Sequence, residues 1–377
     1  NITSIVLQCG GFEVTDLGVD VPCGTIIEKA IETGADIIGV SGLISPSLQK
    51  MLELCQELND RKMDIPLFVG GAAVSGKFTA LRLAPVYGNV HYAADASSTA
   101  VMAKKCLSSP ESFRISEKSR YEAIRNAVQD SPAQTRRIRV TDGFMEGRFF
   151  EDIPLARVEA EKLEDCFEWK MFDAILGIRN RDDELHNEAK ARMKGLAPVI
   201  CARFFDCHRD GGDLVTDSFR LPMPTQDWPL ALYFPENGSA QLGLFAVRMD
   251  FPEKHDLMDF SVRATLAEAA STFIERSLRK RLPEGMKLIM PGIGYDCCPD
   301  HSLKRDVLAQ LPAGIGIELN DSCAMIPQTS ICGLVIAHRD AAYECHRSVV
   351  REELDAYAIR RGFTAEEKEQ FLSPLWF

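Results

Sequence analysis

At 377 residues and a formal net charge of −12, the chain is long enough for two domains. It is too acidic to favour a nucleic-acid partner, whose phosphates need a basic face. No uninterrupted apolar run reaches the roughly 18 residues of a membrane span, and the amino terminus lacks the basic-then-apolar layout of a signal peptide. None of the 12 cysteines forms a Cys-x-x-Cys pair, so they read as reduced thiols of a cytoplasmic protein and not as a disulfide frame or a metal site.

Residues 1–107 alternate helix and strand. Ile2, Ile5, Val6 and Cys9 follow helical spacing, and Gly10-Gly11 stops that helix. Phe12-Glu13-Val14 is expected to start a short strand. Pro22–Glu32 reads as a helix ending before Gly34, and Asp36–Val40 as a buried strand. Pro46 opens a helix with Leu48, Met51, Leu52 and Cys55 inward. Ile65–Val69 is the next strand, Thr79–Leu83 a helical turn, Val90–Tyr92 a last strand and Ala96–Leu107 the closing helix. This alternation implies a parallel, doubly wound α/β sheet. Such a domain normally opens with a strand, and this chain opens in a helix. The first strand and the loop after it are therefore expected ahead of residue 1, with the chain a piece of a longer polypeptide.

Residues 108–150 read as a linker: Ser108-Ser109-Pro110 breaks the helix, Glu117–Val128 is a charged helix, and Arg136-Arg137-Ile138-Arg139 is a solvated basic run. Residues 151–377 mix elements without regular alternation. Helices are expected at Glu159–Glu168, Arg181–Lys194, Asp259–Arg281 and Val349–Arg361, the last capped by Gly362. The long third helix carries Phe260, Ala264, Ala267, Ala270 and Ile274 on one stripe. Val199–Phe205 and Leu214–Asp217 read as strands joined through Asp210-Gly211-Gly212, with further strands at Gln241–Met249, Met286–Met290 and Gly333–Ala337. The class is α+β with an antiparallel sheet.

Two loops stand out. Ser41-Gly42-Leu43-Ile44-Ser45-Pro46-Ser47 follows one expected strand, and Gly70-Gly71-Ala72 follows the next. Small residues and hydroxyls at the carboxyl ends of parallel strands mark a ligand crevice in open α/β sheets. Ser45 before Pro46 also reads as a plain helix cap. Both readings of that serine stand at this point.

With these residues in place, the chain resembles the carboxyl-terminal half of cobalamin-dependent methionine synthase. The best stretches are Val6-Leu7-Gln8-Cys9, Asp16-Leu17-Gly18-Val19, Ser41–Leu48, Ile65–Ala72 and Ala94–Ser97. The likeness returns at Cys166–Phe172 and Phe245-Ala246-Val247, and again at Gly294-Tyr295, Cys298-Pro299-Asp300-His301, Ser322–Met325 and Ala337-His338. The resemblance implies a flavodoxin-like cobalamin-binding domain lacking its first strand over 1–107, a linker over 108–150 and a reactivation domain over 151–377. It implies cobalamin contacts at Ser41, Leu43, Ser45, Ser47, Gly70, Gly71 and Ala96. The cobalt-ligating histidine would belong to an Asp-x-His-x-x-Gly loop upstream of Asn1, so no metal ligand is expected within the chain.

For the second domain the resemblance implies S-adenosylmethionine, presented to the corrin face, with Glu268, Gly294, Tyr295 and His338 as its site positions. His301 is a further histidine for the cobalt face. Met290 stands where the family has arginine, and Val335-Ile336 where it has Tyr-Phe. The implied activity is methyl transfer from methyltetrahydrofolate to homocysteine by way of methylcobalamin. The implied partners are upstream homocysteine and folate modules and a flavodoxin-like reductant, with no nucleic acid and no membrane. Two other readings remain: a corrinoid carrier or sensor whose second domain no longer binds S-adenosylmethionine, and a generic flavodoxin-like protein that binds flavin.

Overall fold

The computed structural model describes residues 2–18, 21–42, 46–71, 74–129, 143–144, 147–176, 182–252, 256–295, 297–343, 349 and 351–372. The chain divides into two compact units, Asn1–Gln134 and Thr135–Phe377.

In the first unit, helices α1 (Ile2–Cys9) and α2 (Cys23–Thr33) precede strand β1 (Ile38–Ser41). Helix α3 (Pro46–Asp60), strand β2 (Leu67–Gly70) and the short α4 (Gly76–Phe78) follow, with α4 running on as a π-helical turn over 79–83. Strand β3 (Val90–Tyr92), α5 (Ala96–Ser108) and α6 (Pro110–Gln129) complete the unit. The sheet is parallel in the order β1-β2-β3, with Ser41 beside Gly70 and Val69 beside Tyr92. Parallel neighbours need a crossover connection, and the helices between successive strands supply it. Both faces are covered. Leu67 and Val69 pack with Ile27, Leu54, Leu58 and Leu83 on one side, and Phe68 packs with Ala93, Ala103 and Phe113 on the other.

Two expectations change here. Phe12–Val14 forms no strand. A strand needs a ladder partner, and among the described residues none pairs with it; instead the Phe12 amide caps α1 by donating to Leu7 O at 3.1 Å. The segment expected as a linker from 108 onward also begins inside the first unit. Phe113, Glu117 and Tyr121 follow i, i+4 spacing and are buried, so α6 has an inward face. Its Tyr121 hydroxyl accepts from the Tyr92 amide at 2.9 Å, and Arg125 donates to Ala80 O. The basic run 136–139 lies outside the described residues.

The second unit holds strands β4 (Ile153–Arg157), β5 (Val199–Asp210), β6 (Asp213–Thr216), β7 (Arg220–Leu221), β8 (Ala240–Arg248), β9 (Lys287–Ile289), β10 (Glu318–Leu319), β11 (Met325–Ile326) and β12 (Ile331–His338). Seven of these form one antiparallel sheet in the order β7-β6-β5-β8-β12-β9, with β4 paired to β5 beside β6; β10 and β11 form a small hairpin. Its helices are α7 (Trp169–Leu176), α8 (Asp183–Met193), α9 (Pro229–Leu232), α10 (Leu257–Arg279), α11 (Leu303–Gln310), α12 (Arg351–Arg361) and α13 (Ala365–Leu372). The span expected as a helix at 159–168 is a 3₁₀ turn, Ala160–Cys166.

Side chains alternate across this sheet. Phe245, Val247, Val335 and Ala337 face a layer containing α7, α8 and α10. Leu242, Leu244, Leu334 and Ile336 face a layer containing α9, α11, α12 and α13. Helix α10 is buried along Met258, Val262, Leu266, Ala267, Ala270 and Ile274, whereas Phe260 and Ala264 are only half-buried. The inward face is thus wider than the expected stripe and turned toward Val262 and Leu266, because α10 packs against both the sheet and α7–α8.

Candidate functional site

The first cluster lies at the carboxyl edge of the parallel sheet. Ser41 ends β1, Gly70 ends β2, and Ala93 follows β3. The Gly42 amide donates to Gly70 O at 2.8 Å, and the Ala93 amide donates to Val69 O at 2.9 Å, so the three strand ends are tied side by side. A Cβ at Gly70 would sit 2.6 Å from Ala93 O. A Cβ at Gly71, whose φ is +101°, would collide with Gly42 O and lie 2.6 Å from Ser41 Oγ. Gly42 in turn packs near Ser47 Cβ and Met51. Glycine is therefore required here by loop-on-loop packing, and the result is an edge bare of long side chains. Ser41, Ser47, Gly70 and Gly71 come together as expected from sequence. Ala96 opens α5 behind the capping box of Asp95 and Ser98, and its side chain lies outside the described set. Leu43 and Ser45 lie outside the described residues.

The second cluster lies in the second unit. Tyr295 donates its hydroxyl to Glu268 Oε1 at 3.0 Å, across from α10 to the loop after β9. Among the described residues this phenol is the only partner of the Glu268 carboxylate. Loss of hydration pushes the Glu268 pKa up, and the phenol's hydrogen bond only partly offsets it. The Tyr295 phenol is raised as well, by lost hydration at the hydroxyl and then by the charge of Glu268. Yet Tyr295 as a residue is 56% exposed, so its side of the pair faces solvent. Gly294 is left-handed at φ +99° and packs against the His301 ring.

His338 does not join that pair. It follows Ile336 on the opposite face of β12 from Val335 and Ala337, fully buried between the rings of Tyr233 and Phe144, each 5.4 Å away. Its Nδ1 accepts from the Asp340 amide at 3.0 Å. At the three positions where the resemblance implies other residue types, Met290 and Val335 are core of the α10 layer, and Ile336 is core of the other. Sequence reasoning missed Tyr343, whose exposed ring reaches back so that its hydroxyl accepts from the Met290 amide at 2.9 Å. It also missed Asp300, buried and bonded by the Tyr357 hydroxyl at 2.7 Å, which ties α12 to the loop before α11. A lone aromatic or acid in sequence gives no signal for such a cross-element bond.

Residues 1–100 match the family model described as B12 binding domain. Residues 240–362 match the model described as vitamin B12 dependent methionine synthase, activation domain. The order of modules is that of the C-terminal half of cobalamin-dependent methionine synthase. Among solved structures, a crystal structure of the MetH reactivation domain bound to AdoHcy is similar at 19% identity with TM-score 0.54, over 67% of this chain and 97% of that one. At that identity the likeness concerns the fold. A methanol:cobalamin methyltransferase complex, MtaBC from Methanosarcina barkeri, matches at 22% identity over 29% of this chain and 40% of that one, with TM-score 0.27. Among the described residues no helix is long and apolar enough to cross a membrane, and no His, Cys, Asp and Glu cluster could hold a metal ion.

Proposed function

We propose that the chain carries a corrinoid cofactor on its first unit and supports reductive remethylation of that cofactor with its second, within a cobalamin-dependent methyl transfer from methyltetrahydrofolate to homocysteine. One observation carries the reading: a B12-binding domain and a methionine synthase activation domain follow each other on one chain. The strand-end cluster supports it. Ser41, Gly42, Gly70, Gly71 and Ala93 present no side chain longer than a serine, which fits the passage of an extended nucleotide tail along backbone.

On this reading β1, β2 and β3 are the last three strands of a flavodoxin-like 2-1-3-4-5 order. Cobalamin, when bound, supplies the methyl-carrying cobalt; the protein positions it. Ser41 and Ser47 offer hydroxyls to the tail, and the glycines let it approach. In the second unit Glu268 supplies a carboxylate for the ammonium of S-adenosylmethionine, and Tyr295 sets that carboxylate's direction. His338 belongs to this reading as a buried support of the second unit's strand end. Upstream homocysteine and folate modules, a flavodoxin-like reductant and a cytoplasmic setting complete the proposal.

A second reading is favoured by Met290, Val335 and Ile336, all core residues where the family pattern has polar or aromatic ones. It keeps the corrinoid carrier and removes S-adenosylmethionine from the second unit. Calorimetric titration with S-adenosylmethionine separates the two: saturable binding supports reactivation, and no heat at millimolar ligand leaves only the carrier. The carrier itself is tested by absorbance titration with methylcobalamin, on this chain and on one carrying an Asp-x-His-x-x-Gly loop ahead of Asn1. Binding by the extended form, with a histidine-on spectrum, is the expected result. Binding by neither form removes the functional content of the likeness.

A further inference from the structure

Lys304 is 2% exposed, and its ammonium lies 2.7 Å from His301 Nδ1 and 3.1 Å from Cys323 O. Burying a lysine is costly, and a methionine of similar length would fill the same space without that cost. What offsets the cost is the pair of acceptors, and the first of them fixes a ring. With Nδ1 accepting from Lys304, His301 is neutral and held in one orientation; burial and the lysine charge push its pKa down to about 3.

That ring meets the turn carrying Tyr295. A Cβ at Gly294 would overlap Cε1 of His301 and lie 2.8 Å from Nδ1, so glycine and ring are in direct contact. The turn is closed by the Gly294 amide to Cys298 O at 2.7 Å and the Cys298 amide to Tyr295 O at 2.8 Å. The next residue along is the Tyr295 whose hydroxyl reaches Glu268. The neighbouring acid, Asp300, acts on the lysine through its charge, which favours the ammonium, while its hydrogen bonds go elsewhere. Asp300 is engaged by the Tyr357 hydroxyl and the Ser302 amide, with Arg361 4.0 Å away.

We infer that Lys304 and His301 are positioning residues for the Glu268–Tyr295 pair: Lys304 orients the His301 ring, and the ring props the Gly294–Tyr295 turn so that the phenol meets the carboxylate. The inference rests on the proposed reading of that pair as the ligand site of the second unit, but its geometry can be tested without a ligand.

The experiment uses the full chain labelled with 3-fluorotyrosine, which gives seven fluorine signals. Tyr295→Phe assigns the relevant one, and Glu268→Ala marks its position when the phenol is released. Lys304→Met is expected to move the Tyr295 signal toward that released position. Adding His301→Phe to Lys304→Met is expected to restore it, because both partners are then apolar and the ring under Gly294 is kept. A folded Lys304→Met chain with an unmoved Tyr295 signal overturns the inference, and so does a double variant no better than the single one. Should Lys304→Met fail to fold, the Lys304→Met/His301→Phe and Lys304→Met/His301→Ala pair makes the same comparison of ring kept against ring removed. Calorimetry of the unaltered chain with S-adenosylhomocysteine is run alongside. No heat there, with the fluorine response intact, sinks the ligand reading and leaves the positioning standing.

Discussion

The two units build their candidate sites from different materials. In the first unit the site is backbone: three strand ends held by amide–carbonyl bonds, with glycine where a side chain would collide. In the second it is side chain: a carboxylate, a phenol and the lysine–histidine pair behind them. A backbone site stays visible in sequence, because only small residues satisfy it. A side-chain site is less constrained, because an apolar residue at one of its positions can pack into the core, where Met290, Val335 and Ile336 all lie.

The comparison breaks first at the scaffold. Phe172 is fully buried in the α10 layer, so Phe172→Ala is expected to lower stability by about 3–5 kcal/mol in a urea melt. A loss below about 1 kcal/mol would mean that this layer does not hold α10. A second break uses acid. His91 is buried between Phe68 and Phe113 in the first unit, and burial, then Arg114 and Arg120, push its pKa from 6.5 down to about 4. The folded unit therefore binds fewer protons than the unfolded chain between those values. The stability His91 allows above pH 6.5 is lost as pH falls toward 4, by an amount on the order of 3 kcal/mol. His91→Leu is expected to flatten this dependence in melts at pH 7 and pH 4; an unchanged slope would contradict it.

A third test sharpens the backbone side of the comparison. Gly70→Val drives a branched side chain into Ala93 O and is expected to cost about 1–3 kcal/mol while abolishing methylcobalamin uptake. Retained uptake would place the tail elsewhere. Asp256 caps α10 through the Asp259 amide at 2.7 Å, so Asp256→Ala should cost about 1 kcal/mol by thermal melt and leave cobalamin uptake untouched. The smallest effect belongs to Glu268. Its raised pKa means that the folded chain holds the proton more tightly, so stability falls as pH rises from the ordinary carboxyl range through the raised value. Glu268→Gln should thus melt slightly higher than the unaltered chain at pH 7, with the gain vanishing below about pH 4. A gain that persists at lower pH would point to another group.

Much of the fold was legible. The helix at Cys23–Thr33 ends where Gly34 turns left-handed, and the parallel strands, the antiparallel class of the second unit and α10 all carry periodic apolar patterns. Phe12–Val14 looked like a strand because local composition says nothing about a ladder partner. Helix α6 looked like a linker because its inward residues are few among many charges: Phe113, Glu117 and Tyr121. At the sites, Ser41, Ser47, Gly70 and Gly71 were legible as a pattern. The grouping of His338 with Glu268 was not, because the side of a strand on which a residue falls depends on register, and here Ile336 and His338 share the face away from α10.

The central claim is that the strand ends of the first unit take a nucleotide tail. The most direct measurement compares methylcobalamin with a cobinamide, which has the corrin ring and lacks the tail, by absorbance titration of the loop-extended chain and its Ser41→Val variant. Tight uptake of methylcobalamin, much weaker uptake of cobinamide, and loss of that preference in Ser41→Val is the predicted result. Equal affinity for the two corrinoids would contradict the account.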